Sequence, residues 1–191
     1  MSAATLPNTA SEPEEKLITA DELFAMADTS GFELIRGQLH PMPPTGYEHG
    51  ETESDIAFCL KSFVRQQNLG KVMTGEVGMY IRRAPDSVRA ADVLFISHQR
   101  LQQVQSKSYL DVAPELVVEV LSPRDSWVDM AEKLEDYFSI GVVQVWFANP
   151  RNKTLQVFTS VTDSVLLRGE ERVPTIPFLP GFTLNVSDIY N

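Results

Sequence analysis

The chain has 191 residues, 43% hydrophobic and 22% charged, an ordinary balance for a globular protein with room for a substantial core. A formal net charge of −10 argues against a protein that coats nucleic acid by bulk electrostatics, although carboxylates gathered for a divalent cation count as negative charge until the cation binds. One cysteine, Cys59, excludes a disulfide framework and a cysteine-built zinc site, and no run of about 18 apolar residues marks a membrane span.

Residues 1–16 are small, polar and acidic, which predicts a mobile tail ahead of one domain over 17–191. The tail lacks the basic start and apolar centre of a signal peptide, so the expected compartment is the cytoplasm. Thr19 followed by Glu22 is a capping-box pattern and predicts a short helix to about Ala27. "FELIRGQLHPM" reads as a hairpin around Arg36-Gly37, and "PMPPTGYEHG" as a loop. From about Gly50 to Gln67, Ile56, Ala57, Leu60, Phe63 and Val64 share one helical face. "KVMTGEVGMYIRR" and "ADVLFIS" read as strands, and His98 to about Ser106 as a short helix or turn. "PELVVEVLSPRD" contains a buried strand, and Ser126–Phe138 is an amphipathic helix closed by Gly141. "VVQVWFANP", "TLQVFTS" and "SVLLR" are further strands, and "IPFLPGFTLNVSDIY" is expected to end the chain with one more short strand and a turn. The order predicts a mixed α/β (α+β) domain with a central sheet, and the glycine-rich phosphate-binding signatures are absent.

Glu119 stands inside the apolar run Leu116, Val117, Val118, Val120, Leu121. A buried carboxylate needs a cation, a metal or a proton beside it. Asp92 opens the second apolar strand, "DVLFIS", in a similar setting. Two acids on two apolar strands can converge at one sheet end, where a hard cation such as Mg²⁺ prefers oxygen ligands; Asp92 alone would also serve as a strand-end cap. Asp125, Asp129, Lys133 and Tyr137 recur every four residues and share one helix face. That face is either solvated, with an Asp129–Lys133 ion pair, or turned back by the short Ser122-Pro123-Arg124 loop so that Lys133 reaches the strand end carrying Glu119.

"FELIRGQL", His49-Gly50, "RAADVLFIS", "PELVVEVLSPRD" with Asp129, Lys133 and Tyr137 downstream, "GVVQVWFANP" and "LPGFTL" resemble the Uma-two family of restriction-endonuclease-like nucleases, of the PD-(D/E)XK fold. The resemblance covers about residues 19–189. It implies a restriction-endonuclease-like central mixed sheet flanked by helices, with an added N-terminal hairpin and C-terminal strands. It makes Asp92 and Glu119 metal-binding acids, adds the backbone carbonyl of Val120 as a metal contact, and gives Lys133 the role of the motif lysine. The common lysine position holds Leu121 here, so the lysine has moved to the following helix. Ala91 replaces the motif proline, and Gln38 stands where relatives often carry glutamate.

Glu33 either adds a third carboxylate or pairs with Arg36 or another neighbour, and His49 is either a cap or loop histidine or a ligand or proton carrier. Gln144 either faces the site or follows strand alternation. The expectation is a Mg²⁺- or Mn²⁺-dependent endonuclease acting on DNA, with phosphate contacts drawn from Lys61, Arg65, Lys71, Arg82, Arg83 and Arg89. The alternatives are a non-catalytic dimerisation or nucleic-acid-binding module, a metal-dependent hydrolase of another substrate, and a purely structural Glu119–Lys133 pair. A homodimer is compatible with the edge strands and with Trp146-Phe147.

Overall fold

The computed structural model describes residues 16–26 and 31–190. The expected N-terminal tail lies outside the described residues, Lys16 apart. Helix α1 (Ala20–Ala25) starts at Thr19 with the capping box formed in both directions, and it ends two residues short of the predicted limit. Strands β1 (Phe32–Ile35) and β2 (Gln38–Pro41) make the expected hairpin. Arg36 and Gly37 both take positive φ, 51° and 81°, the conformation a two-residue turn needs to match strand twist.

Helix α2 runs from Tyr47 to Gln67. It begins three residues before the predicted start, so Tyr47, Glu48 and His49 are helical rather than loop. Gly46 is the N-cap, and Glu48 in the first turn suits the positive end of the helix dipole. Asn68, with φ 53°, closes the helix in the left-handed conformation. Strand β3 (Gly70–Arg82) then pairs along β4 (Ser87–Ser97). Strand β4 starts four residues before the predicted Ala91, because Arg89, which would disfavour burial alone, is neutralised inside the fold.

After the short helix α3 (His98–Leu101) come β5 (Leu116–Val120), helix α4 (Trp127–Ser139), β6 (Gln144–Asn149), β7 (Thr154–Phe158) and β8 (Ser164–Arg168). The order across the sheet is β2-β1-β4-β5-β6-β7-β8, with β3 joined to the other edge of β4. Strands β5 and β6 are parallel and all other pairs antiparallel, so the sheet is mixed, as predicted. The expected strand in the closing segment does not form. Pro174, Pro177 and Pro180 remove ladder donors, and only an Arg172–Asn185 bridge and a 3₁₀ turn at Val186–Asp188 remain.

Alternation along β5 divides the core. Leu116, Val118 and Val120 pack with Ile56, Leu60 and Val64 of α2 and with Leu179 and Leu184 of the closing segment. Val117 packs on the other face with Leu134 and Tyr137 of α4 and with Val145 and Phe147. Glu119 shares the parity of Val117 and so is directed toward α4. On β4, Leu94 and Ile96 belong to that same face, and Asp92 has their parity.

Candidate active site

Strand β4 pairs with β5 at Val93–Val118, and one step further along that register sets Asp92 opposite Glu119. Opposed residues of an antiparallel pair point to one face. The two acids of the sequence reading therefore share a sheet face. Asp92 Oδ2 accepts from the backbone N–H of Val120 at 2.7 Å, which ties the two strand ends together.

Glu119 is 5% exposed. Lys133 Nζ donates to its Oε2 at 2.6 Å, and the Tyr137 hydroxyl donates to Oε1. Position 121 holds a leucine that packs with the α4-side core, and the cation comes instead from two turns into the next helix. The four-residue spacing of Lys133 and Tyr137 places both over the end of β5. Asp129 does not pair with Lys133. Its carboxylate accepts from Ser126 Oγ at 2.7 Å, while Ser126 Oγ accepts from its backbone N–H, so Ser126 caps α4 and Asp129 holds the capping hydroxyl. Asp125 accepts from the Ser122 N–H at 2.6 Å and shapes the loop.

Burial pushes the Glu119 carboxyl up to about 7, with Lys133 pulling it down and Asp92 and Glu33 raising it. Burial works against the Lys133 ammonium too, but the Glu119 and Glu33 carboxylates outweigh it and hold its pKa above the ordinary lysine value. Beside these carboxylates Lys133 is a cation at neutral pH. Tyr137 is likewise raised well above the ordinary value, by burial and by Glu119, and acts as a neutral donor.

His49 lies in the first turn of α2, nine-tenths buried, with Nε2 at 3.4 Å from Asp92 Oδ2. Burial lowers its pKa, yet the bond to Asp92 and the surrounding carboxylates raise it overall. Its Nδ1 is buried without a hydrogen-bond partner. One turn on, Glu53 brings a carboxylate to the same place. Donor atoms of His49, Glu53 and Asp92 lie within 4.8 Å of one another, a grouping able to hold a metal ion. Burial and Asp92 raise the Glu53 pKa. Among the described residues Glu119 does not complete such a three-donor group. Glu53 was not among the sequence candidates, although its i, i+4 spacing from His49 was there to be read.

Glu33 meets a neighbour, and that neighbour is Arg89 rather than Arg36. Arg89 Nη1 donates to Glu33 at 2.9 Å and Nε donates to Asp136 at 2.8 Å, while the other Glu33 oxygen accepts from Ala90 N–H. Arg89 is thus buried in an internal ion triad and is withdrawn from the proposed phosphate contacts. Arg83 also has partners, the Tyr80 ring at 3.6 Å and Asp86 at 3.5 Å. Gln144 is away from the site: its side-chain oxygen accepts from the indole N–H of buried Trp146 at 3.0 Å.

The candidate residues open into a cleft of about 410 Å³ lined by Glu33, Glu76, Asp92, Glu119, Asp125, Asp129 and Glu132, with Arg89, Arg124 and Lys133 as its cations. Seven carboxylates facing three cations make a cleft that attracts cations and repels an unaccompanied phosphate. Val120 lines it as well. Among the described residues no helix is long and apolar enough to cross a membrane.

A solved structure from Anabaena variabilis, described as "a putative nuclease belonging to DUF820", superposes with a TM-score of 0.76 at 20% identity, over 91% of this chain and 97% of that one. At that identity the likeness establishes the fold. No curated protein matches the chain. A family model described as "Putative restriction endonuclease" matches residues 20–187, nearly all of the described protein. With the match spanning both acid-bearing strands and the helix that carries Lys133, the chain belongs to the Uma2 family.

Proposed function

We propose that the protein is a divalent-metal-dependent nuclease that hydrolyses phosphodiester bonds in DNA, with Asp92 and Glu119 as its metal-binding acids and Lys133 as its electrostatic catalyst. The observation that carries this reading is the meeting of Asp92, Glu119 and Lys133 in one acid-rich cleft, with the buried Glu119 bonded to Lys133 Nζ at 2.6 Å. The donor set fits Mg²⁺ or Mn²⁺. It is mostly carboxylate oxygen, it has a negative excess to be neutralised, and His49 carries a buried nitrogen without a partner. Asp92, Glu119 and the Val120 carbonyl would hold the ion, with His49 and Glu53 beside Asp92 as further donors. When bound, a divalent cation supplies neutralisation of the cleft and Lewis-acid polarisation of a phosphoryl oxygen.

The chain's own groups do the rest. Lys133, held as ammonium, lies where it can donate to a non-bridging oxygen and stabilise the charge that grows on the phosphorus centre. Tyr137 and Lys133 together fix both oxygens of Glu119 and prevent it from rotating away. The Val120 N–H and His49 orient Asp92. The Arg89–Glu33–Asp136 triad braces β1, β4 and α4 around this cluster.

The acid excess also favours a second reading, a metal-dependent hydrolase whose substrate is not a nucleic acid. Incubation of plasmid and linear DNA with wild type and Asp92→Asn, in Mg²⁺, Mn²⁺ and chelator, separates the two. The nuclease reading expects metal-dependent cleavage lost in Asp92→Asn. Metal-dependent hydrolysis of a small phosphodiester without any cleavage of DNA would favour the second.

A further inference from the structure

We propose that the groove beside the cleft seats an unpaired nucleobase adjacent to the scissile phosphate, so that the substrate is single-stranded at the point of cleavage. The proposal rests on the nuclease reading above and names the form of its substrate. The groove has a volume of about 760 Å³, larger than the cleft, and His49, Ser122 and Asp125 line both. The two cavities therefore adjoin at these residues.

Sheet register explains why they adjoin. Glu119 is paired with Phe147, Phe147 with Gln156, and Gln156 with Leu166. These four residues form one row across β5, β6, β7 and β8, on one face of the sheet. At about 4.8 Å per strand, Gln156 stands about 10 Å from Glu119 across the row. A ligand whose phosphate lies at Glu119 would extend along this row. Phe147 lies beneath it, 1% exposed, Met130 of α4 stands on one side, and Leu166 is half exposed at the far end. The Gln156 amide is fixed by donation to Ser164 Oγ at 3.0 Å. At the rim, Tyr47 is 83% exposed at the start of α2, an aromatic ring left almost wholly in solvent.

Charge decides what the groove can hold. Its lining has one Lys or Arg, Arg151, against Glu48 and Asp125. A phosphate backbone would find one cation and two acids there, so the groove is not a track for phosphates. A neutral, planar, hydrogen-bonding group suits an apolar floor with amide neighbours and an exposed ring, and in a nucleic acid that group is a base. A base can enter only once it is unpaired, and extruding it from a duplex costs free energy that a single strand avoids. A duplex would instead need cations along both strands, and the cleft sets three, Arg89, Arg124 and Lys133, against seven carboxylates.

The test compares wild type, Tyr47→Ala and Leu166→Trp, the last chosen because a half-exposed edge-strand position accepts a larger side chain that fills the groove. Circular dichroism checks each fold. Cleavage in Mn²⁺ is followed on three labelled DNAs: a single strand, the same strand fully paired, and the duplex with an unpaired bulge. The expected result is cleavage confined to unpaired positions, with Tyr47→Ala raising KM for the single strand about 5- to 150-fold, the range that stacking of one base implies, and kcat changing far less. Equal cleavage of paired and unpaired DNA, or an unchanged KM in both folded variants, would overturn the proposal. If wild type cleaves no DNA, the nuclease reading fails, and the groove is judged by anisotropy in Ca²⁺ with oligothymidylate against an abasic chain of equal phosphate number. Preference for the base-bearing chain, weakened by Tyr47→Ala, supports the base subsite; equal or no binding of the two chains refutes it.

Discussion

Arg89→Met tests the internal brace. Arg89 and Glu33 are each about 6% exposed at their side chains, and their ion pair spans 2.9 Å. Asp136, the other partner at 2.8 Å, is 24% exposed and can be rehydrated. Methionine keeps most of the apolar stem and removes the charge. The loss then falls mainly on Glu33, left as a buried carboxylate with the Ala90 N–H as its remaining hydrogen bond from this network. Removing one partner of a buried pair costs about 3–5 kcal/mol, and the exposed side of the triad places this case near the lower figure. In a chain of this size that corresponds to a fall in Tm of roughly 6–12 °C. Urea unfolding at neutral pH measures it. Adding Glu33→Gln to Arg89→Met should recover about 1–2 kcal/mol, because glutamine carries no stranded charge and still offers an oxygen to Ala90 N–H. An Arg89→Met protein within about 1 kcal/mol of wild type, or a double variant no more stable than the single, would refute the reasoning and return Arg89 to the candidate phosphate contacts.

Lys133→Ala should fold and lose about 10²- to 10³-fold in metal-dependent cleavage, the usual cost of removing a positioned electrostatic group. Lys133→Arg should restore part of that activity, since the proposed role is that of a positioned charge and guanidinium keeps it; steady-state rates on one DNA substrate decide both. Asp86 gives a pH signature remote from the cleft. Burial would raise its carboxyl, but the N–H groups of Ala20 and Ala84 and the Arg83 guanidinium hold it below the ordinary value. A lowered folded pKa means stability that is present above the unfolded value and lost as pH falls through the folded one. Asp86→Asn should therefore cost about 1–2 kcal/mol at pH 7, with the difference from wild type closing below about pH 4 in urea melts; a constant difference across that range would contradict the assignment.

The parts of the site that were legible in the sequence share one property: their context was anomalous. Glu119 interrupts a β-branched run, Asp92 opens another, and Lys133 and Tyr137 repeat at four residues on a helix that a short loop must fold back. Strand parity then accounts for Glu119 facing α4 instead of the α2-side core. Glu53 had no such anomaly. It sits among Glu48, Glu51 and Asp55 on a helix that looks solvated, and only the approach of β3 and β4 half-buries it. His49 was read outside the helix because the glycines and prolines before it signal a loop, and the cap falls at Gly46 rather than after His49. The early start of β4 was hidden by Arg89, whose charge disguises a buried strand until Glu33 and Asp136 are placed beside it. The closing segment has strand-like composition, but its prolines leave it packing apolar side chains on the α2 face without joining the sheet.

Whether Asp92 and Glu119 hold a divalent cation is decided by calorimetric titration of the metal-free protein with Mn²⁺ and Mg²⁺, in wild type, Asp92→Asn and Glu119→Ala, with circular dichroism to establish folding. Wild type should bind saturably, with binding abolished by Asp92→Asn and strongly weakened by Glu119→Ala. Folded variants that bind as wild type does, or a wild type that binds neither ion, would contradict this and leave Glu119 and Lys133 as a structural ion pair.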